Sequence, residues 1–336
     1  MTIITRFKNL IKDAQNIVIT THLHPDADGL GSQIALCISL KSLGYTCFCV
    51  NEENMFERYR YLDPTGVVLS FHDYQKMHPS HSKEIDLFIV VDANNHTRIG
   101  ENMTTLVEKS KEILFMDHHP CAQEIAALHC IDTTAAATGE MVGRIIKAIG
   151  VEFIPEISLP LYTSILIDTN SFRYPSVTSE THKLVSELMK AGGVKSPLAY
   201  NLIYGTKKIG HIQMLGMILS SAQITDDESI AWLSVSEEKL SKYHVDAEDT
   251  LAFVNYLLVL DNVKIACMFR EQGQAVKVSM RSSGDVDVGI MAQALGGGGH
   301  NHSAATIIQG SLETVTKHTI EKLKIMLKNA SAHPRN

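Results

Sequence analysis

The first half of the chain alternates strand-length apolar runs with stretches of helical spacing, and few folds accommodate that alternation. Val18 to Thr21 is a short apolar strand, Gly29 to Leu43 carries Leu30, Ile34, Leu36 and Leu40 at helical spacing, and Thr46 to Val50 is strand again. Asp86 to Val91 and Glu112 to Met116 are apolar runs of the kind found in parallel strands covered on both faces. Thr138 to Ile149 reads as a helix ending at Gly150. The pattern predicts an α/β chain whose N-terminal part is a doubly wound, mostly parallel sheet. Ligands of such sheets bind beyond the carboxyl ends of the strands.

Those ends carry the chemistry. His22-Leu23-His24-Pro25-Asp26-Ala27-Asp28 follows one apolar run, Asp92 a second, and Asp117-His118-His119-Pro120 a third; Asp168 follows Ile165 to Ile167. Imidazole plus carboxylate is a ligand set for hard to borderline divalent cations such as Mn²⁺ or Mg²⁺. So many groups exceed the needs of one ion and predict a two-metal site, whose usual chemistry is phosphate-ester hydrolysis. The competing reading of Asp26 or Asp28 is a cap on the helix that begins near Leu30, and Asp92 and Asp168 admit a similar one. Alternate strand residues share a face, so His22 and His24 are both able to point inward and spacing does not choose between them. Adjacent imidazoles point to opposite sides. One of His118 and His119 is then able to bind metal while the other meets a substrate oxygen as proton donor, with Asp117 orienting an imidazole.

A length of 336 residues predicts two domains. A net charge of −7 argues against broad binding of long or duplex nucleic acid, yet allows a short anionic substrate in one metal-lined pocket. The six cysteines (37, 47, 49, 121, 130, 267) form no CxxC pair, and Cys47-x-Cys49 on a strand places both thiols on one face, as core packing does. No disulfide framework is required, and a reducing cytoplasm is expected. No stretch approaches the roughly 20 apolar residues of a membrane span, so no membrane association is expected. A homodimer is left open.

From Pro160 to Ser220 the chain looks helical. A second alternation then gives a smaller α/β domain: strand Ile230 to Val235, helix Asp246 to Leu260, hairpin Val263 to Arg270 and Ala275 to Arg281, helix Val286 to Leu295, strand Ala304 to Ile308 and amphipathic helix Leu312 to Leu327. The expected division is a catalytic domain 1–190, a helical linker 191–225, a substrate-binding domain 226–330 and a frayed tail 331–336. Gly296 to Gly299 with His300 reads as a flexible turn whose amides are able to cradle a phosphate. Arg281-Ser282-Ser283 adds a cation and hydroxyls, and Arg98, six residues past Asp92, is a second candidate phosphate contact. Arg270 is expected to be solvated, Asp285-Val286-Asp287 to cap a helix, and His72, His78, His81 and His129 to be surface or packing residues.

These motifs, in this order, resemble the DHH phosphoesterases, named for the triplet present here as Asp117-His118-His119. The resemblance covers nearly the whole chain: the His22 to Ser32 motif, Val91-Asp92 with Arg98-Ile99-Gly100, the triplet, Leu166-Ile167-Asp168-Thr169, Lys277 to Ser282, and Gly296 to His300. Size and pairing are most similar to the nano-RNase A subgroup. That likeness implies hydrolysis of short single-stranded oligoribonucleotides to 5′-mononucleotides and of 3′-phosphoadenosine 5′-phosphate (pAp) to AMP. It also implies two Mn²⁺, with Mg²⁺ the alternative. One would be held by His22, Asp26 and Asp92 and the other by Asp28, Asp92, His118 and Asp168, leaving His24 out. His119 would contact the scissile phosphate or protonate the leaving oxygen. Arg281, Ser282 and Gly298-Gly299-His300 would hold the far end of the substrate. Relatives commonly carry glycine near Ala305, a departure that leaves the metal centre untouched. Rivals within this chemistry are cyclic or linear dinucleotides and polyphosphate; a stacking aromatic such as Tyr243 or Tyr256 would favour nucleotides. The rival of another class is a non-catalytic nucleotide sensor, against which stands the presence of every expected ligand.

Overall fold

A computed structural model describes residues 2–78, 84–205 and 207–332, so His81 and the tail from residue 333 lie outside the described residues. The chain divides into two units, Met1–Thr206 and Lys207–Asn336, and the division falls inside the stretch read as a linker.

In the first unit, six parallel strands lie in the order β3-β2-β1-β4-β5-β6: β1 (Asn16–Thr20), β2 (Thr46–Asn51), β3 (Val68–Ser70), β4 (Ile85–Val91), β5 (Ser110–Asp117) and β6 (Cys130–Ile131). The apolar runs are continuous because both faces are covered. Ile17, Ile19, Leu87 and Ile89 enter one core cluster, while Val18, Phe88 and Val90 enter another. Helices Ala27–Ser42 and Pro155–Asp168 pack closely, and Gly31 makes this possible, since a Cβ there would lie 2.4 Å from the Pro160 carbonyl oxygen. Strand order reverses between β1 and β4, which opens a crevice at their carboxyl ends. All six cysteines are free thiols. His78 and His129 pack against aromatic rings.

At the opposite edge, Asp86 ties three strands together. Its carboxylate accepts from the amides of Gln15 and Asn16, both at 2.9 Å, and from Lys111 Nζ at 2.9 Å. The Lys111 contact and the two amides hold its pKa down at about 2. A depressed carboxylate contributes stability above its unfolded value that is lost as pH falls through the folded one. Asp86→Asn is expected to cost about 1–3 kcal/mol at neutral pH and progressively less toward pH 2, read by urea unfolding across that range.

The second unit contains a mixed sheet in the order β11-β12-β10-β9-β8-β7: β7 (Gln223–Ile224), β8 (Ile230–Val235), β9 (Ile265–Gln272), β10 (Ala275–Ser282), β11 (Gly298–His300) and β12 (Ser303–Gln309). The β9–β10 hairpin lies where the sequence puts it; the closing helix starts at Leu312 as expected but runs on to Ala332, past Leu327 and into the stretch read as a frayed tail. Asp287 caps helix Val288–Ala294 by accepting from the Ile290 amide.

Three expectations are corrected. Asp246 to Leu260 is two 3₁₀ segments, Ala247–Thr250 and Phe253–Val259, rather than one helix; Phe253, Val254 and Leu257 still reach the core from the tighter winding. Arg270 is 4% exposed and donates to Glu248 at 3.0 Å, because β9 runs between β8 and β10 and carries Arg270 beneath that segment. The glycine run is not simply a turn, since Gly298–His300 pairs with Ser303–Ala305 as an edge strand. Among the described residues, no helix is long and apolar enough to cross a membrane.

Candidate metal centre

The loops leaving β1, β4 and β5 deliver side chains to the crevice at the strand reversal. His22 Nε2 lies 3.4 Å from Asp92 Oδ2 and 3.9 Å from Asp26 Oδ1, while its Nδ1 is 2.7 Å from the Leu23 carbonyl oxygen. The second nitrogen of a metal-binding histidine typically meets a carbonyl in this way. Asp26 also caps helix Ala27–Ser42, accepting from the amides of Asp28 (2.9 Å) and Gly29 (3.1 Å). Capping and site geometry therefore coexist in one carboxylate. Asp28 is buried, with its two oxygens on the amides of Thr138 (2.9 Å) and Gly139 (3.0 Å) at the start of helix Thr138–Ala148. His118 Nε2 lies 3.2 Å from Asp168 and 3.7 Å from Asp28.

The result is two groups able to hold an ion, His22–Asp26–Asp92 and Asp28–His118–Asp168. A third, Asp92–His118–His119, overlaps both; within each group the ligand atoms lie within 4.8 Å of one another. Asp92 is held at a left-handed φ of 58°, a conformation that β4 alone would not impose, and accepts from Thr138 Oγ1 at 3.1 Å. Asp117 is fully buried at the end of β5. Its Oδ1 accepts from the His119 amide (3.1 Å) and lies 2.6 Å from His119 Nδ1.

The electrostatics show what such a cluster demands. Burial first, then the charges of Asp92 and Asp168, push the Asp28 carboxyl well above the usual carboxylate range. Burial works against the charged forms of His22 and His118, but the surrounding carboxylates outweigh it; His22 rises to about 11 and His118 well above its ordinary value. Asp26 and Asp117 are held low despite burial, by His22 and His119 respectively. Protons thus supply positive charge that a divalent cation would supply better, since each imidazole would release its proton on coordination. The donors, carboxylate oxygen and imidazole nitrogen, suit Mn²⁺ or Mg²⁺. Asp117 Oδ2 and Thr21 Oγ1 are also buried without a hydrogen-bond partner, and a buried polar atom left so calls for a ligand or water.

Of the other residues singled out by sequence, His24 stays outside, its side chain 72% exposed. Arg98 is half-buried in a 3₁₀ turn whose carbonyl accepts from the Leu23 amide at 2.6 Å. In the second unit, Ser282 spends its hydroxyl internally on Val286 (2.6 Å) and Asn301 (3.2 Å). Arg281 donates to the Met280 carbonyl, and its Nε is buried without a partner. Gly298 and Gly299 lie in β11; His300 ends that strand by its backbone, and its side chain is outside what is described. Sequence reasoning passed over Thr138, Gly139 and Ser164, which all contact Asp28. The only signal was a small polar residue opening a predicted helix.

Residues 16–167 match the DHH family, N-terminal domain, and residues 227–328 match the DHHA1 domain. The chain is 27% identical over 320 residues to the bifunctional oligoribonuclease and PAP phosphatase NrnA of Thermus thermophilus, covering 94% of this chain and 91% of that one. It is 26% identical to the Bacillus subtilis protein of the same name, covering 90% and 95%. The crystal structure of an exopolyphosphatase-related protein from Bacteroides fragilis superposes with a TM-score of 0.86 at 26% identity, covering 97% of both chains. The chain thus carries the DHH and DHHA1 domains of the DHH phosphoesterases in order, and the ligand cluster lies in the first unit.

Proposed function

We propose that this protein is a two-metal phosphohydrolase of short nucleotides, releasing 5′-mononucleotides from short oligoribonucleotides and AMP from pAp. The observation that carries the reading is the pair of ligand groups, His22–Asp26–Asp92 and Asp28–His118–Asp168, linked by a third that takes Asp92 from one and His118 from the other. The substrate class is supported by the relatives named as oligoribonucleases and PAP phosphatases. His22, Asp26 and Asp92 would hold one ion, and Asp28, Asp92, His118 and Asp168 the other. When bound, the cations acidify a water and neutralise charge on the phosphoryl oxygens.

The chain's own residues do the rest. The Asp117 carboxylate engages His119 Nδ1, fixing the ring and assigning Nε2 to a substrate oxygen, where it donates a proton to the leaving group. The amides of Thr138 and Gly139 hold the Asp28 carboxyl in place. Arg98 would contact a phosphate, as would Arg281, Ser282 and Gly298-Gly299-His300 in the second unit.

A panel of pAp, RNA of two to five nucleotides, cyclic di-AMP and polyphosphate, assayed in Mn²⁺, tests this. AMP from pAp and mononucleotides from the RNAs are expected. Turnover of polyphosphate alone, the reading favoured by the Bacteroides likeness, would remove the nucleotide assignment. Binding without turnover of any member would identify a sensor.

A further inference from the structure

Phe56 lies exposed just beyond the carboxyl end of β2, at the same edge of the sheet as His22 and Asp92. A single exposed phenylalanine needs no explanation, but this one is built upon. The Arg58 guanidinium lies 5.3 Å from its ring centroid and 4.9 Å from that of the buried Tyr59, so the cation engages both rings. The His24 ring lies near-parallel to Phe56, 28° between planes and 6.5 Å between centroids. His24 is itself held at a φ of 50°, an unfavourable conformation for an exposed residue that makes no cap. It stands two residues from both His22 and Asp26, which puts its Cα within about 8 Å of theirs.

Exposed aromatic faces backed by arginine are the means by which proteins hold unpaired bases without reading their sequence. Resting on the phosphohydrolase reading above, we propose that Phe56, backed by Arg58 and flanked by His24, is the platform on which a base stacks when its nucleotide's phosphate occupies the metal centre. Such a platform distinguishes nucleotides from polyphosphate, which has no base, and it tolerates any base.

The test uses the full-length protein in Mn²⁺ with two RNA dinucleotides, one carrying both bases and one abasic at the nucleotide that is released. The wild type is expected to prefer the base-bearing substrate by about tenfold in kcat/KM, the preference residing in KM. Phe56→Ala is expected to collapse that ratio toward parity, and Phe56→Trp to keep it. A wild type without preference, or a Phe56→Ala protein that retains it, overturns the platform. A wild type that cleaves neither dinucleotide overturns the phosphohydrolase reading and the platform with it.

Discussion

Asp92→Asn is expected to lower phosphodiester hydrolysis by on the order of 10³-fold while leaving the metal-stripped protein at least as stable as the wild type. The substitution is mild for the fold. Asparagine tolerates the left-handed backbone that Asp92 occupies, and its Oδ1 still accepts from Thr138 Oγ1. For the site it is severe, because Asp92 belongs to two of the three ligand groups. Its charge also burdens Asp28, so removing it relieves a buried carboxylate. Wild type in Mn²⁺ at about a hundred times its Kd should gain about 2.7 kcal/mol over chelated protein, which corresponds to roughly 5–10 °C in Tm for a unit of this size. The variant should lose most of that gain.

The pH dependence follows in sign. Asp28, His22 and His118 all have raised folded values, so the stripped protein binds extra protons when folded and weakens as pH rises. For His22 the window runs from 6.5 to about 11. Coordination releases the same imidazole protons, so the Mn²⁺-induced rise in Tm should grow with pH across that window. Hydrolysis by Asp92→Asn within tenfold of wild type, or an undiminished Tm response, would remove Asp92 from the centre of the site.

The strand ends were legible because a doubly wound sheet leaves few options for where an apolar run stops, and a polar side chain there faces the crevice. His22 against His24 was not legible, for a physical reason. β1 ends at Thr20, so the two histidines do not alternate across a pleat; the left-handed turn at His24 separates them instead. The partners of Asp28 were hidden differently. Thr138 and Gly139 lie more than a hundred residues away along the chain, and a helix N-terminus does not announce which carboxylate it will meet. In the second unit, Arg270 misled because its burial depends on a central strand and a glutamate from a separate segment, neither visible in local polarity. The glycine run misled because glycine permits an edge strand as readily as a turn.

His119→Ala is expected to reduce kcat by about 10²- to 10⁴-fold with little change in KM, and Asp117→Asn by somewhat less. In the proposed mechanism the His119 ring would meet substrate in the orientation that Asp117 imposes, and the negative charge of the buried carboxylate would favour the ring as a proton donor. Asparagine keeps a carbonyl acceptor but removes that charge and leaves an amide in a fully buried position, so a stability loss of about 1–3 kcal/mol should accompany the loss in rate. Two further measurements separate a positioning role from general damage. Both variants should recover most of their deficit on a p-nitrophenyl ester, whose leaving group needs no proton. The double variant should be no slower than His119→Ala alone, because Asp117 has nothing to act on once the ring is gone. Losses that multiply instead would place Asp117 outside the path from His119 to the leaving oxygen, with its buried and unpartnered Oδ2 pointing to an independent role.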